Sequence, residues 1–144
     1  MILRWKALVK LATVALKALP THHPAITPEF LAAICVVESG GDTFAVGDHG
    51  AAVGIAQFHP PTFYRFAERG SGDSRRSAPC SMLALVHECS HAMRRRYDVA
   101  IVNHRRFLMR VAANYHNSGR LTGRESAYVR RVFAVMAEHA KGKR

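Results

Sequence analysis

The feature that most constrains the fold is a run of eight apolar residues, Phe30–Val37. A capping hydroxyl, a proline for the first turn and an early acid precede it, at Thr27, Pro28 and Glu29, and Gly40-Gly41 follows it. This order predicts a helix that begins near residue 28 and stops at the two glycines. Such a helix carries an apolar face that has to pack against the rest of the chain.

Glu38 directly follows this run and shares its apolar face. Leu31, Ile34, Cys35 and Glu38 fall at positions i, i+3, i+4 and i+7 of the helix. Apolar surroundings and a helix C-terminus both disfavour the charged form of a carboxyl. A carboxylic acid that keeps its proton beside a glycine-rich backbone is what general-acid cleavage of a glycosidic bond requires. The alternative is a solvated glutamate at a helix end, paired with an arginine.

The remaining pattern predicts a mainly α (α+β) chain. Short β-prone runs at 43–46 and 53–55 flank a glycine-rich turn and predict a small hairpin. The capping-box pattern Thr122–Glu125 predicts the start of a last helix that reaches about residue 140. Apolar periodicity and the proline pair predict other helices at about 60–69, 82–96 and 99–115. The three cysteines contain no C-x-x-C pair and are expected to be free thiols.

Residues 1–20 predict a basic amphipathic helix, separate from a single domain at 21–144. Lys6, Lys10 and Lys17 share one helical stripe, and Trp5 lies among the apolar remainder. Two interpretations stay open: a first helix packed on the domain, or an arm that docks on a membrane surface, a virion protein or a secretion-machinery protein. The lysines interrupt the apolar stretch, so neither a classical signal peptide nor a membrane span is expected.

Charge narrows the class of partner. Lys and Arg number 21 against 10 Asp and Glu, for a net charge of +11. Such a charge favours an anionic polymer or surface: nucleic acid, anionic lipid or acidic wall glycan. The basic residues are scattered without an aromatic-interleaved or helix-turn-helix pattern, so nucleic acid ranks last. A basic binding or assembly protein with a degenerate enzyme fold remains an alternative.

Three ordered motifs carry a resemblance to a known family. Glu38-Ser39-Gly40-Gly41 and Gly54-Ile55-Ala56-Gln57 are followed by Asn114–Gly119. Together they resemble the E-S, G-L-M-Q and A-Y-N motifs of lytic transglycosylases, over about residues 25–136. The last is taken as Y-N, with His116 as one extra residue between Tyr115 and Asn117. The resemblance implies a lysozyme-like fold with a small hairpin beside the catalytic helix, and a peptidoglycan substrate.

The resemblance also implies the roles of individual residues. Glu38 would be the sole general acid/base at the bond between N-acetylmuramic acid and N-acetylglucosamine, and the sugar's own 6-hydroxyl would give a 1,6-anhydro product. Ser39 would hold the helix end, while Gln57, Tyr115 and Asn117 would contact the substrate, with Tyr115 alternatively orienting Glu38. No cofactor is expected. A hydrolytic, lysozyme-type outcome stays open and would need a second carboxylate, Asp42 or Asp48.

A rival motif lies at His87-Glu88-Cys89-Ser90-His91, which matches the zinc-peptidase pattern H-E-x-x-H. On a helix the two histidines share a face, and Glu88 would be the general base. The extended pattern is absent, and no residue offers a third ligand at a diagnostic spacing; the candidates are Cys80, His104 and Glu125. We therefore expect no metal, with the zinc peptidase as the weaker hypothesis.

The expected localisation follows from the expected substrate. A wall enzyme without a visible export signal needs another route to its polymer, such as a phage holin, a virion or a secretion apparatus. The sequence is therefore expected to be a phage-type product, free or virion-borne, made in the cytoplasm and active at the bacterial cell wall.

Overall fold

The computed structural model describes residues 1–68, 72–96 and 104–141, which form six helices and one hairpin. The hairpin pairs β1 (Val46–Gly47) with β2 (Ala52–Val53) in antiparallel register, around a 3-10 turn at Asp48–Gly50. The helices are α1 (Trp5–Ala18), α2 (Pro28–Ser39), α3 (Pro60–Phe66), α4 (Ala78–Arg96), α5 (Arg105–Ser118) and α6 (Ala127–Lys141). The predicted fold class is confirmed.

Helix α2 lies at the centre, in contact with α1, α4 and α6. Its ends are those predicted: Thr27 Oγ1 accepts a hydrogen bond from Phe30 N at 3.2 Å, and Gly40 closes it with a φ of +64°. Phe30 to Cys35 are all buried. Burial of each large apolar side chain contributes about 1.5–3 kcal/mol, so the core fixes the position of this helix and of Glu38 at its end.

Helix α1 packs on α2 and α4 through Leu8, Ala12, Ala15 and Leu16, while its three lysines stay exposed. Outside the helix, Leu3 N donates to Gly41 O at 2.9 Å, and Trp5 stacks on His139 of α6 with ring centroids 4.0 Å apart. The first of the two interpretations of residues 1–20 therefore describes the structure. No helix in the described ranges is long and apolar enough to cross a membrane.

The start of α6 differs from the prediction. The helix begins at Ala127, and its cap is Ser126, whose Oγ accepts from Val129 N at 3.1 Å. The capping box at Thr122–Glu125 is wrong because buried Asn114 holds that segment outside the helix. Asn114 Nδ2 donates to the carbonyl oxygens of Thr122, at 2.8 Å, and Arg124, at 2.9 Å.

Other boundaries differ by a few residues. The strands lie nearer to the turn than the β-prone runs predicted, and α3 ends at Phe66. Helix α5 begins at Arg105, while 97–103, the first part of the predicted segment, lies outside the described residues. The three cysteines are free, and two of them, Cys35 and Cys89, are buried.

Candidate active site

Glu38 lies where α2 meets α5 and α6. Its Oε1 accepts a hydrogen bond from Tyr128 Oη of α6 at 2.7 Å and lies 3.5 Å from His116 Nε2 of α5. The side chain is 19% exposed. In the described part of the chain these contacts all go to Oε1, which leaves Oε2 available to a ligand.

His116 is held as a cation between two glutamates. Its Nδ1 is hydrogen-bonded to Oε1 of Glu88 on α4, and its Nε2 lies 2.8 Å from the carbonyl oxygen of Ala56. Both ring nitrogens face acceptors, so both have to carry a hydrogen. Burial opposes protonation, but the charge and hydrogen bond of Glu88, the charge of Glu38 and the Ala56 carbonyl outweigh it and raise the pKa of His116 to about 9.

The ion pair of His116 and Glu88 is buried away from water. The side chain of His116 is 3% exposed and that of Glu88 is 1% exposed. A buried glutamate without a partner would be strongly destabilising, so the imidazolium satisfies Glu88 on one side while it faces Glu38 on the other. Glu38 therefore lies beside a fixed positive charge.

Tyr128 is a lasting donor to Glu38. Burial, and then the charge of Glu38 and the hydrogen bond to it, raise the pKa of Tyr128 far above its ordinary value. Its hydroxyl thus keeps its hydrogen throughout the physiological range. Tyr128 and the carboxylate of Glu38 are 90 residues apart in sequence and meet only because α6 packs on α2.

The hairpin region holds the end of α2, next to Glu38, through Ser39. Ser39 Oγ lies within hydrogen-bond distance of Cys35 O, at 3.1 Å, and of Ile55 O, at 2.8 Å. Gln57 has a φ of +51°, and its Nε2 donates to Ala45 O at 3.1 Å and to Gly54 O at 3.0 Å. Ser39 thus joins the end of α2 to the second motif, and the amide nitrogen of Gln57 is used within the hairpin.

Gly54 explains why the second motif needs a glycine. Its φ is +86°, and a Cβ placed there would lie 2.1 Å from the carbonyl oxygen of Arg75. Arg75 is buried, pairs with Asp73 at 2.8 Å and donates to the Ala51 and Phe58 carbonyls at 2.8 and 3.0 Å. The hydrogen bonds of Arg75 therefore hold the hairpin and the residues after it in place.

Tyr115 and Asn117 line a cavity of about 410 Å³ together with His116 and Glu88. The Tyr115 hydroxyl accepts from Arg65 Nη1 at 3.2 Å, so it is His116, and not Tyr115, that the structure brings to Glu38. Consecutive residues of a helix point about 100° apart, which separates the two side chains. If the third motif is aligned without an insertion, His116 takes the position of the tyrosine in A-Y-N, and Asn117 takes that of the asparagine. This alignment also makes His116 the residue that meets Glu38.

Residues 18–121 match the family model described as "Transglycosylase SLT domain". The chain belongs to this family. Neither the curated proteins nor the solved structures gave a match. The matched range contains Glu38, Glu88 and His116 but stops before Tyr128, which sequence analysis missed and which no local pattern marks. Family membership indicates a transglycosylase with peptidoglycan as its substrate.

The second carboxylates that a hydrolytic SLT domain would need are used elsewhere. Asp42 Oδ1 accepts from Phe44 N at 2.9 Å and lies 3.9 Å from the amino group of Met1. Asp48 Oδ2 is 2.8 Å from His59 Nε2. Both aspartates therefore serve the turn and the N-terminus in this structure.

The residues of the H-E-x-x-H motif do not face a common site in this SLT domain. Glu88 turns to His116, whereas His87 and His91 line a different cavity. His91 Nε2 lies 3.2 Å from Arg65 Nη2, so its lone pair accepts from a guanidinium. In the described ranges no group of three His, Cys, Asp or Glu side chains is placed to hold a metal. The donor set thus does not fit a zinc peptidase.

Proposed function

We propose that this SLT domain cleaves the β-1,4 bond between N-acetylmuramic acid and N-acetylglucosamine, with Glu38 as general acid and then general base. The observation that carries the proposal is the environment of one carboxyl group. Glu38 is fixed through Oε1 by Tyr128 and faces the His116 imidazolium, while Oε2 makes none of these contacts. A positioned carboxyl with one oxygen left for the reacting bond is what proton transfer to a glycosidic oxygen requires.

The first step breaks the glycosidic bond. A bound glycan covers the exposed part of Glu38, whose carboxyl carries a proton at the start of the reaction. Glu38 gives this proton to the glycosidic oxygen, the C1–oxygen bond breaks, and the muramic ring acquires oxocarbenium character. The carboxylate that forms is stabilised by the Tyr128 hydroxyl and by the charge of His116, 3.5 Å away.

The second step closes the product. The Glu38 carboxylate takes the proton of the sugar's 6-hydroxyl, whose oxygen forms the new bond to C1, and Glu38 returns to its protonated state. No water is consumed. The positions of the other acids support this outcome over hydrolysis: Asp42 and Asp48 have local partners, and Glu88 is buried against His116. Gln57, through its remaining oxygen, and Asn117, in the cleft, are the proposed substrate contacts.

The test of the acid is Glu38→Gln on purified peptidoglycan. Loss of a general acid/base lowers the rate by about 10²–10⁴-fold. The matched control is Glu29→Gln, the same change at the other end of α2, which should keep full activity. Circular dichroism of both variants checks the fold. Unchanged clearing by Glu38→Gln would refute the assignment.

Product analysis tests the bond chemistry. Mass spectrometry of the wild-type digest should show anhydromuramic ends, which are lighter than hydrolysed reducing ends by one water. Reducing ends alone would favour the lysozyme-type outcome. We propose the bacterial cell wall as the place of action, since the substrate is there.

A further inference from the structure

A second cavity, of about 560 Å³, lies between α3 and α4 and is strongly basic. It shares Arg65 and Phe66 with the cavity that His116 lines, so the two cavities adjoin. Three guanidinium groups line it, and none of its described lining residues is acidic; they are Arg65, Phe66, Ala67, His87, Ser90, His91, Arg94 and Arg95. We call it the basic cavity.

Two of these arginines are fixed by neutral groups, and neither forms an ion pair with a carboxylate of the described residues. Arg65 donates to the Tyr115 hydroxyl and to His91 Nε2, each at 3.2 Å, and Arg94 donates to the carbonyl oxygen of Thr21. These acceptors are neutral, so they hold the guanidinium groups in place and leave their charge to act on a ligand. Arg75 makes the contrast, since it is paired with Asp73 at 2.8 Å.

His91 lies in the positive field of the basic cavity. Burial, followed by the charges of Arg65 and Arg95, lowers the pKa of His91, and the charge of Glu88 only partly opposes them. Glu88 itself is bonded to His116 on the other side of α4. A concave site whose walls carry one sign of charge concentrates the field on an oppositely charged ligand.

We propose that the basic cavity binds a carboxylate of the peptide carried by the same glycan that occupies the catalytic cleft. The proposal rests on the proposed function: the basic cavity adjoins the cavity lined by His116, which faces Glu38, so one glycan strand with its peptide can reach both. Where a peptide is attached, the lactyl carboxyl of muramic acid is an amide and the sugars are neutral, whereas the peptide itself carries free carboxylates. A planar carboxylate also matches the two-pronged geometry of a guanidinium.

The experiment measures binding rather than turnover. The ligands are the disaccharide N-acetylglucosaminyl-N-acetylmuramic acid with a tetrapeptide on its lactyl carboxyl, and the same disaccharide with that carboxyl converted to the simple amide, which carries no carboxylate. Neither contains the bond that the enzyme is proposed to cut, so the wild type can be titrated calorimetrically. We expect the peptide form to bind more tightly, and Arg94→Gln/Arg95→Gln to weaken only that form, by about tenfold.

Controls separate charge at this place from charge in general. Lys6→Gln/Lys10→Gln removes two positive charges from the exposed face of α1 and should leave both affinities unchanged. Arg94→Lys/Arg95→Lys should restore part of the lost affinity, and thermal unfolding checks each fold. Esterification of the peptide carboxylates should abolish the wild-type preference.

Several results would overturn the proposal. They are equal wild-type affinity for the two disaccharides, no binding of either, an equal loss in the Lys6→Gln/Lys10→Gln control, or preferential binding of poly(glycerol phosphate). Failure of the proposed function is seen separately, as unchanged clearing by Glu38→Gln. A peptide preference that survives that result would still establish the basic cavity as a carboxylate site.

Discussion

Replacement of Glu88 by Gln should remove most of the pH dependence of stability between pH 6.5 and 8.5. In the native protein the pKa of His116 is raised to about 9, whereas an unfolded histidine titrates near 6.5. Because the folded pKa is the higher one, the stabilisation is complete below pH 6.5 and is lost as the pH rises through 9. The difference corresponds to about 3 kcal/mol of unfolding free energy, for a side chain that is 3% exposed.

The other groups with shifted pKa values change stability mainly outside the pH range in which His116 acts. Burial is the first cause that lowers the pKa of His23 and of His91, so both contribute at the acidic side, where stability falls as the pH falls. Burial raises the pKa of Cys35 and of Cys89 well above their ordinary values, so both add to the loss of stability once the unfolded thiols ionise, near pH 8.5. The decline between pH 6.5 and 8.5 should therefore come mainly from His116.

Urea unfolding at a series of pH values from 6 to 8.5 measures the effect below the range in which the unfolded thiols ionise. The wild type should lose about 2 kcal/mol across this range, while Glu88→Gln should start lower and stay nearly level. Glu138→Gln removes one exposed carboxylate from α6 and should follow the wild type. A wild-type curve without this decline, or a Glu88→Gln curve that parallels it, would refute the assignment of His116 as a buried cation. An NMR titration of the His116 ring should give a pKa of about 9 in the wild type.

Two further predictions test single contacts. Tyr128→Phe removes the donor to Glu38 and should lower kcat about tenfold in a peptidoglycan digestion assay while the Tm changes little; an equal loss of Tm and kcat would indicate a purely structural role. Ser126→Ala removes both the cap of α6 and a bond to Asn114 Oδ1 at 2.7 Å, and should cost about 1–2 kcal/mol in urea unfolding. Thr122→Ala, in the capping box that the sequence predicted, should cost less than about 0.5 kcal/mol, and the reverse order would contradict the observed start of the helix.

Much of the fold could be predicted because its signals are local. The hydroxyl of Thr27 and the permissive backbone of Gly40 act within one helical turn, so the ends of α2 follow from neighbouring residues. The start of α6 could not be predicted in this way. Thr122 has the right residue type for a cap, but Asn114, eight positions away, takes the Thr122 carbonyl and keeps the segment extended.

The same distinction between local and long-range signals applies to the residues of the site. Glu38 stood out in the sequence because a carboxyl on an apolar helix face is locally anomalous, and its motif is short. In the sequence, His116 looks like an insertion in the third motif, and Glu88 looks like the glutamate of H-E-x-x-H. Their actual contact joins α4 to α5, and a pattern along one helix carries no information about which residue of another helix it meets.

By itself, the sequence determined the helix that presents the carboxyl, the hairpin beside it and the glycines that both require. These depend on backbone conformation and on burial, which each residue biases on its own. The tertiary structure alone decided that the carboxyl faces an imidazolium held by a second, buried glutamate and a tyrosine from the last helix. Those contacts depend on the relative rotation and position of four packed helices, and only the complete core fixes these.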